Sequence, residues 1–290
     1  MNFDNARIMT AMATPFNEEG NIDRDLLEKL INHLIATGTE GILVSGTTGE
    51  APTLTTDEKL QLIKWAVEII DGRVPLLVGT GSNNTKQTIA YTNEVAKIKG
   101  VDAALVVVPY YNKPDQAGMI AHFTTVADNV NLPIFMYNIP GRTGVAMQLE
   151  TAVKLSHHKN IIGIKDCLGN ANLARLAELT PDDFYVYSGE DADALDSRMF
   201  GAQGVISVAS HIYGKQMKEM YDDFDAGKNA EAGVIMRRLI PKMAALFSHP
   251  SPSPVKAALN HEGIEVGGCR LPILALNDEQ KKTLFKQLEI

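Results

Sequence analysis

Cysteine is scarce in this chain: two thiols, Cys167 and Cys269, stand far apart among 290 residues. No disulfide framework and no Cys-x-x-Cys pair can be drawn from them, which excludes small secreted scaffolds and dithiol redox sites. Long hydrophobic runs are missing too, and none reaches the roughly 18 residues that a membrane helix requires. The opening residues Met1-Asn2-Phe3-Asp4-Asn5 carry neither the basic cluster nor the apolar stretch of a signal peptide. Together these absences predict a cytoplasmic protein. Positive charge is also in deficit: 27 Lys and Arg against 35 Asp and Glu leave a net charge of −8. That balance disfavours a nucleic-acid or anionic-membrane surface, although one buried arginine could still hold a small anion. Gly79-Thr80-Gly81 lacks the third glycine of a dinucleotide fingerprint, and no Walker lysine follows a glycine-rich loop. The seven histidines are scattered, with only His157-His158 adjacent, and no His, Cys or carboxylate cluster has metal-ligand spacing. Neither a metal nor a dissociable cofactor is expected.

What the chain does contain is a regular alternation. Short apolar runs at 8–13, 41–44, 75–78, 103–107, 133–137, 161–165, 184–187 and 204–208 read as strands. Segments of helical period separate them, at 24–36, 57–70, 85–97, 116–129, 149–157, 172–178, 192–200 and 214–224. Strands apolar nearly throughout, spaced by helices, indicate parallel strands buried on both faces. Eight such units suit a closed TIM (β/α)8 barrel better than an open doubly wound sheet of five or six strands. Only helical signals follow, at 230–247, 254–260 and 278–288. The expected division is therefore a barrel over residues 1–226 and a C-terminal helical extension over 227–290. Pro241 is expected to kink or divide the first of these helices, and the Pro-rich segment 249–254 to be a stiff, non-helical loop.

In such a barrel the chemistry sits at the C-terminal ends of the strands. Strand 2 runs into Ser45-Gly46-Thr47-Thr48-Gly49-Glu50, and strand 4 into Pro109-Tyr110-Tyr111-Asn112. Strand 5 ends at Tyr137 before Asn138-Ile139-Pro140-Gly141-Arg142-Thr143-Gly144, strand 6 at Lys165, and strand 7 at Ser188-Gly189-Glu190. Lys165 is the sharpest signal, an amine closing the apolar run Ile161-Ile162-Gly163-Ile164. Desolvation in a barrel would bring its pKa from about 10.4 toward roughly 7–8, freeing it to attack a carbonyl. The ordinary alternative is a lysine that leaves for solvent or pairs with Asp166. Thr47, Tyr111 and Tyr137 could relay the protons that imine formation moves, or could be core residues with satisfied hydroxyls. Arg142 could clamp a carboxylate bidentately or make a surface ion pair. The amides of residues 46–49 could form a nest for a carboxylate. Cys167 reads as packing rather than as a nucleophile.

The segments Gly46-Thr47-Thr48-Gly49-Glu50, Tyr110-Tyr111-Asn112-Lys113-Pro114, Tyr137 to Gly144 and Ile164-Lys165-Asp166 together resemble the dihydrodipicolinate synthase family, also called 4-hydroxy-tetrahydrodipicolinate synthases. This family lies within the pyruvate-dependent class I aldolases, and the resemblance runs nearly end to end, through Pro254-Val255-Lys256. It implies a lyase that condenses pyruvate with L-aspartate 4-semialdehyde through an imine at Lys165, in diaminopimelate and lysine biosynthesis. It implies a proton relay of Thr47, Tyr137 and Tyr111, with Tyr111 supplied by a neighbouring subunit of a homodimer or homotetramer. Arg142 would bind the semialdehyde carboxylate and Thr48 the pyruvate carboxylate, with Gly189 and Ile206 lining the pocket. The superfamily leaves two siblings as alternatives, an N-acetylneuraminate lyase or a keto-deoxy sugar acid aldolase, and beyond them a catalytically dead binding paralogue. Two departures stand out. Asp166 replaces a more familiar Glu, a change expected to be mild. The positions matching the family's lysine feedback site are Thr56, Lys59 and Gln87, which remove partners for an ammonium ligand, so weak or absent lysine inhibition is expected.

Overall fold

Strand β1 (Ile8–Ala11) begins a series that continues through β2 (Gly41–Val44), β3 (Leu76–Gly79), β4 (Ala103–Val107) and β5 (Ile134–Asn138). The series ends with β6 (Ile161–Asp166), β7 (Tyr185–Ser188) and β8 (Gly204–Ser207). In the computed structural model, which describes residues 3–290, these eight strands pair in chain order and close through β1 and β8. Every pairing is parallel. The expected TIM barrel is the observed one.

The apolar character of the strands has a direct cause. One face of each strand fills the barrel and the other packs under the helices, so neither face meets water. Met9, Leu43, Leu77, Leu105, Phe135, Tyr187 and Ile206 belong to the inner cluster. Ile8, Ile42, Val78, Val106, Met136 and Ile164 belong to the outer one, together with helix residues such as Leu30, Ile63 and Phe123.

Helix Thr56–Ile70 follows the β2 loop and starts at a capping box in which Thr55 and Glu58 satisfy each other's backbone N–H groups. Helix Ser210–Asp225 is kinked at Tyr213, whose φ −109° and ψ 22° are non-helical, so the regular helix begins beyond it, as the periodicity from residue 214 predicts. The short turn before the kink is held by the Ser210 N–H donating to Ser207 Oγ. Helix Asn229–Ala245 runs through Pro241 undivided, contrary to expectation. Pro241 lies one turn from the helix end, so little of the hydrogen-bond ladder is lost, and buried Leu239 and Met243 anchor both sides of it. Helix Ser253–His261 matches the stretch 254–260 read as helical, beginning one residue earlier at the end of the Pro-rich segment. Pro254 occupies its first turn, where no intrahelical N–H is required. Helix Asp278–Leu288 completes the chain, and Tyr213 donates its hydroxyl to Leu288 O at 2.8 Å. Among the described residues no helix is long and apolar enough to cross a membrane.

Candidate active site

The register of the strands creates the site. Val107 pairs with Tyr137, Tyr137 with Lys165, and Lys165 with Tyr187, so four neighbouring strands place these residues on one rung. Strands lie about 4.8 Å apart, so inward side chains on a rung must meet. Lys165 and Tyr137 do so: the ammonium nitrogen sits 4.6 Å from the centre of the Tyr137 ring. Lys165 is only 6% exposed. Neither ordinary reading of this lysine holds. It does not reach solvent, and Asp166 faces away from it, accepting from Asn138 Nδ2 at 2.8 Å, Leu168 N at 2.9 Å and Asn172 Nδ2 at 3.1 Å.

Burial is the largest influence on Lys165 and pushes its pKa down, while negative charge on Tyr137, Cys167 and Asp191 pushes it up. With all three ionised the balance lies above the ordinary lysine value, so the expected fall toward neutrality is not what the free chain gives. The reason lies in the neighbours. Burial raises the Tyr137 phenol and pushes the Cys167 thiol up to about 12, so both are neutral near pH 7. At that pH burial is opposed by the hydrogen bond with the Tyr137 hydroxyl and by Asp191.

Asp191 escaped the sequence reading. Its buried carboxylate accepts from Ser207 Oγ, from Val208 N at 3.1 Å and from Ala209 N at 2.9 Å, fixing the end of β8 just beyond Ile206. Asn138 escaped it as well. On the outward face of β5 it bonds Met147 through both its amide nitrogen and its oxygen, each at 3.0 Å, and ties down the loop that carries Arg142. For Asp191 the only signal was a polar side chain beside a strand end, which many barrel residues share, whereas Asn138 lies inside the segment Tyr137 to Gly144 but had no role assigned to it.

The other predicted residues divide into those gathered around Lys165 and those held apart from it. Thr47 and Arg142 are both close enough to act on the Tyr137 phenol and lower its pKa against burial. Thr47 is half-buried, Thr48 is buried, and Arg142 is exposed at the rim within the helical turn Pro140–Thr143. Ile206 is 1% exposed and pairs with Met9 inside the barrel. Gly189 makes room for the lysine, since a Cβ there would stand 2.2 Å from Cys167 Sγ and 2.9 Å from Lys165 Cε. Tyr111 is not gathered in. It is 88% exposed with a left-handed backbone, φ 72°, and in the single chain it stands free of the pocket.

Among the described residues no group of three or more His, Cys, Asp or Glu is placed to hold a metal ion. The arrangement is instead a buried amine with hydroxyls on one side and a guanidinium at the mouth, which is equipment for forming and reshaping an imine of an anionic carbonyl compound.

The sequence profile of the Dihydrodipicolinate synthetase family matches residues 4–290. The chain belongs to this family. A 4-hydroxy-tetrahydrodipicolinate synthase of Ligilactobacillus salivarius is 66% identical over 290 residues, covering all of both chains. Among solved structures, a dihydrodipicolinate synthase of Bacillus anthracis superposes with a TM-score of 0.96 at 45% identity, covering 98% of each chain. The synthase of Cyanidioschyzon merolae, solved with lysine bound, gives a TM-score of 0.94 at 40% identity over 99% of this chain and 98% of that one.

Of the three positions that the resemblance assigns to a lysine feedback site, Lys59 lies over the Tyr91 ring and Gln87 stands one helical turn before Tyr91 in the same helix. Lys59 is half-buried, its nitrogen 5.8 Å from the Tyr91 ring centre, and burial lowers its pKa. Gln87 lies one turn before Tyr91, with its N–H capped by Asn84 Oδ1 at 3.0 Å. Thr56 opens helix Thr56–Ile70.

Proposed function

We propose that this chain is a 4-hydroxy-tetrahydrodipicolinate synthase that condenses pyruvate with L-aspartate 4-semialdehyde. The observation that carries the reading is the buried amine of Lys165 lying over Tyr137, away from any pairing with Asp166. The unprotonated amine attacks C2 of pyruvate, and the Tyr137 and Thr47 hydroxyls pass protons to and from the carbinolamine until water leaves. Loss of a methyl proton turns the imine into an enamine. That carbon attacks the aldehyde, the substrate's amino group then displaces Lys165, and the ring closes. The carbon–carbon bond forms through the covalent imine, so no separate cofactor is required.

Thr48 and the amides around it take the pyruvate carboxylate in this reading, Arg142 takes the semialdehyde carboxylate, and Gly189 and Ile206 shape the pocket. Tyr111 is the outlying member of the relay. Its exposure suits a role across an interface between two copies of the chain, with a homodimer as the smallest active unit and a homotetramer as the larger option. The extension 227–290 is a helical adjunct of the barrel, and the enzyme works in the cytoplasm. Lysine inhibition is weak or absent, because Lys59 adds positive charge where an ammonium ligand would bind.

Borohydride trapping with pyruvate tests the central step. A pyruvyl mass gain on Lys165, followed by turnover with the semialdehyde but not with sialic acid or keto-deoxy-gluconate, is the expected result. No mass gain would favour a binding paralogue, and turnover only with a sugar acid would favour a sibling aldolase. A steady-state assay showing strong inhibition by millimolar lysine would refute the feedback reading.

A further inference from the structure

The loop from Ser45 to Glu50 carries Thr47 and Thr48, and its backbone is unusual at both ends. Ser45 and Glu50 each have φ 55°, a left-handed conformation in two non-glycine residues. Such geometry persists only where the surroundings hold it. From the barrel side, Thr14 Oγ1 donates to Gly49 O at 2.6 Å. From the other side the holding groups come from the C-terminal extension. Glu50 Oε1 lies 2.7 Å from Lys256 Nζ, with both side chains 2% exposed. Glu50 Oε2 accepts from Arg270 N at 2.8 Å. Lys256 also donates to Gly268 O at 2.6 Å and lies 4.2 Å from the centre of the Phe16 ring.

The segment that brings Arg270 to this point is itself closely fitted. Phe16 N donates to Val266 O at 3.1 Å. Gly267 has φ 66°, and any Cβ there would stand 2.0 Å from Phe16 O. The Arg270 guanidinium then bonds Thr53 O and Glu58, just beyond the loop, and Gly20 O in the connection after β1. A buried ion pair generally adds little net stability over an apolar pair of the same size, but it imposes one geometry on the groups that form it.

We propose that Glu50, Lys256 and the Arg270 backbone are positioning residues: the C-terminal extension clamps the far end of the β2 loop and thereby sets Thr47 and Thr48 against Lys165. This deepens the synthase reading and rests on it. None of the three touches the reacting atoms. Their effect is exerted through a loop whose misplacement by about 1 Å can cost on the order of 100-fold in rate.

Two variants test the clamp. Glu50→Asp keeps the charge pair but shortens the reach by one methylene, so the fold is retained while the loop shifts. The double variant Glu50→Gln, Lys256→Met removes both charges together and leaves neither one buried alone. Each is assayed for melting temperature, pyruvate KM, kcat and the rate of borohydride trapping. The expected result is folded protein with pyruvate KM raised, or imine trapping slowed, by about tenfold or more. A purely structural role would change only the melting temperature, so folded variants with wild-type trapping rates and pyruvate KM overturn the clamp. The wild-type protein separates the two levels. If it fails to trap pyruvate, the synthase reading fails; if it traps while the variants match it, only the clamp fails.

Discussion

Two lysines lie buried in this molecule in opposite circumstances. Lys256 meets the Glu50 carboxylate at 2.7 Å and the Gly268 carbonyl at 2.6 Å. Lys165 lies over an aromatic ring beside a phenol and a thiol that burial keeps neutral, and the Asp191 carboxylate that acts on it is occupied by Ser207 and two backbone N–H groups. An ammonium held by a carboxylate in contact is committed to that contact. One that faces a ring and two weak acids remains available to a ligand. Burial alone therefore does not mark a catalytic lysine; what it is buried against does.

Exchanging each lysine for methionine tests that contrast most severely. Lys165→Met is expected to abolish pyruvate trapping and turnover while leaving thermal stability unchanged or higher, since a desolvated amine is removed. Lys256→Met alone is expected to cost about 3–5 kcal/mol in urea unfolding, because Glu50 is left buried without its partner. Similar losses of stability from the two substitutions would break the comparison.

Next in size is Tyr137→Phe, which keeps the ring under the amine but removes the hydroxyl. A fall in kcat of roughly 10²- to 10⁴-fold is expected, with imine trapping slowed in parallel. Gly189→Ala should follow, because the added carbon drives Lys165 and Cys167 apart. Stopped-flow or quench trapping is expected to show a loss of about tenfold or more, together with about 1–3 kcal/mol of overpacking.

The smallest effect is on pH-dependent stability. Burial lowers His122 and His211 to about 4. Both are neutral when folded at pH 7, and the unfolded chain, with histidines near the ordinary 6.5, binds more protons between those values. Stability is full above about pH 6.5 and falls progressively as the pH drops toward 4, which urea midpoints across that range would show. His211→Gln should flatten the slope.

Much of the barrel is legible from the chain because burial on both faces forces strands such as Ile42 to Val44 and Ala103 to Val107 to be apolar throughout. Lys165 is legible for the same reason, as a charge at the end of such a strand. Helix starts are less so. The turn that Ser210 opens ahead of the kink at Tyr213 lies outside the periodic stretch, because its backbone is satisfied by Ser207 Oγ, a neighbour that periodicity does not register. Tyr111 was readable as a candidate from its motif, yet its exposure and backbone conformation were not.

Residue order alone determined the alternation of strand and helix, the number of units and the amine at the sixth strand end, since these follow from local polarity and period. The tertiary structure alone decided which charges meet. The Arg270 guanidinium and Glu58 are 212 residues apart in the chain yet paired, and Asp166 turns away from the lysine beside it in sequence. A strand sends successive side chains to opposite faces, and closing the barrel joins distant segments, so electrostatic partnership is set by register and closure rather than by order along the chain.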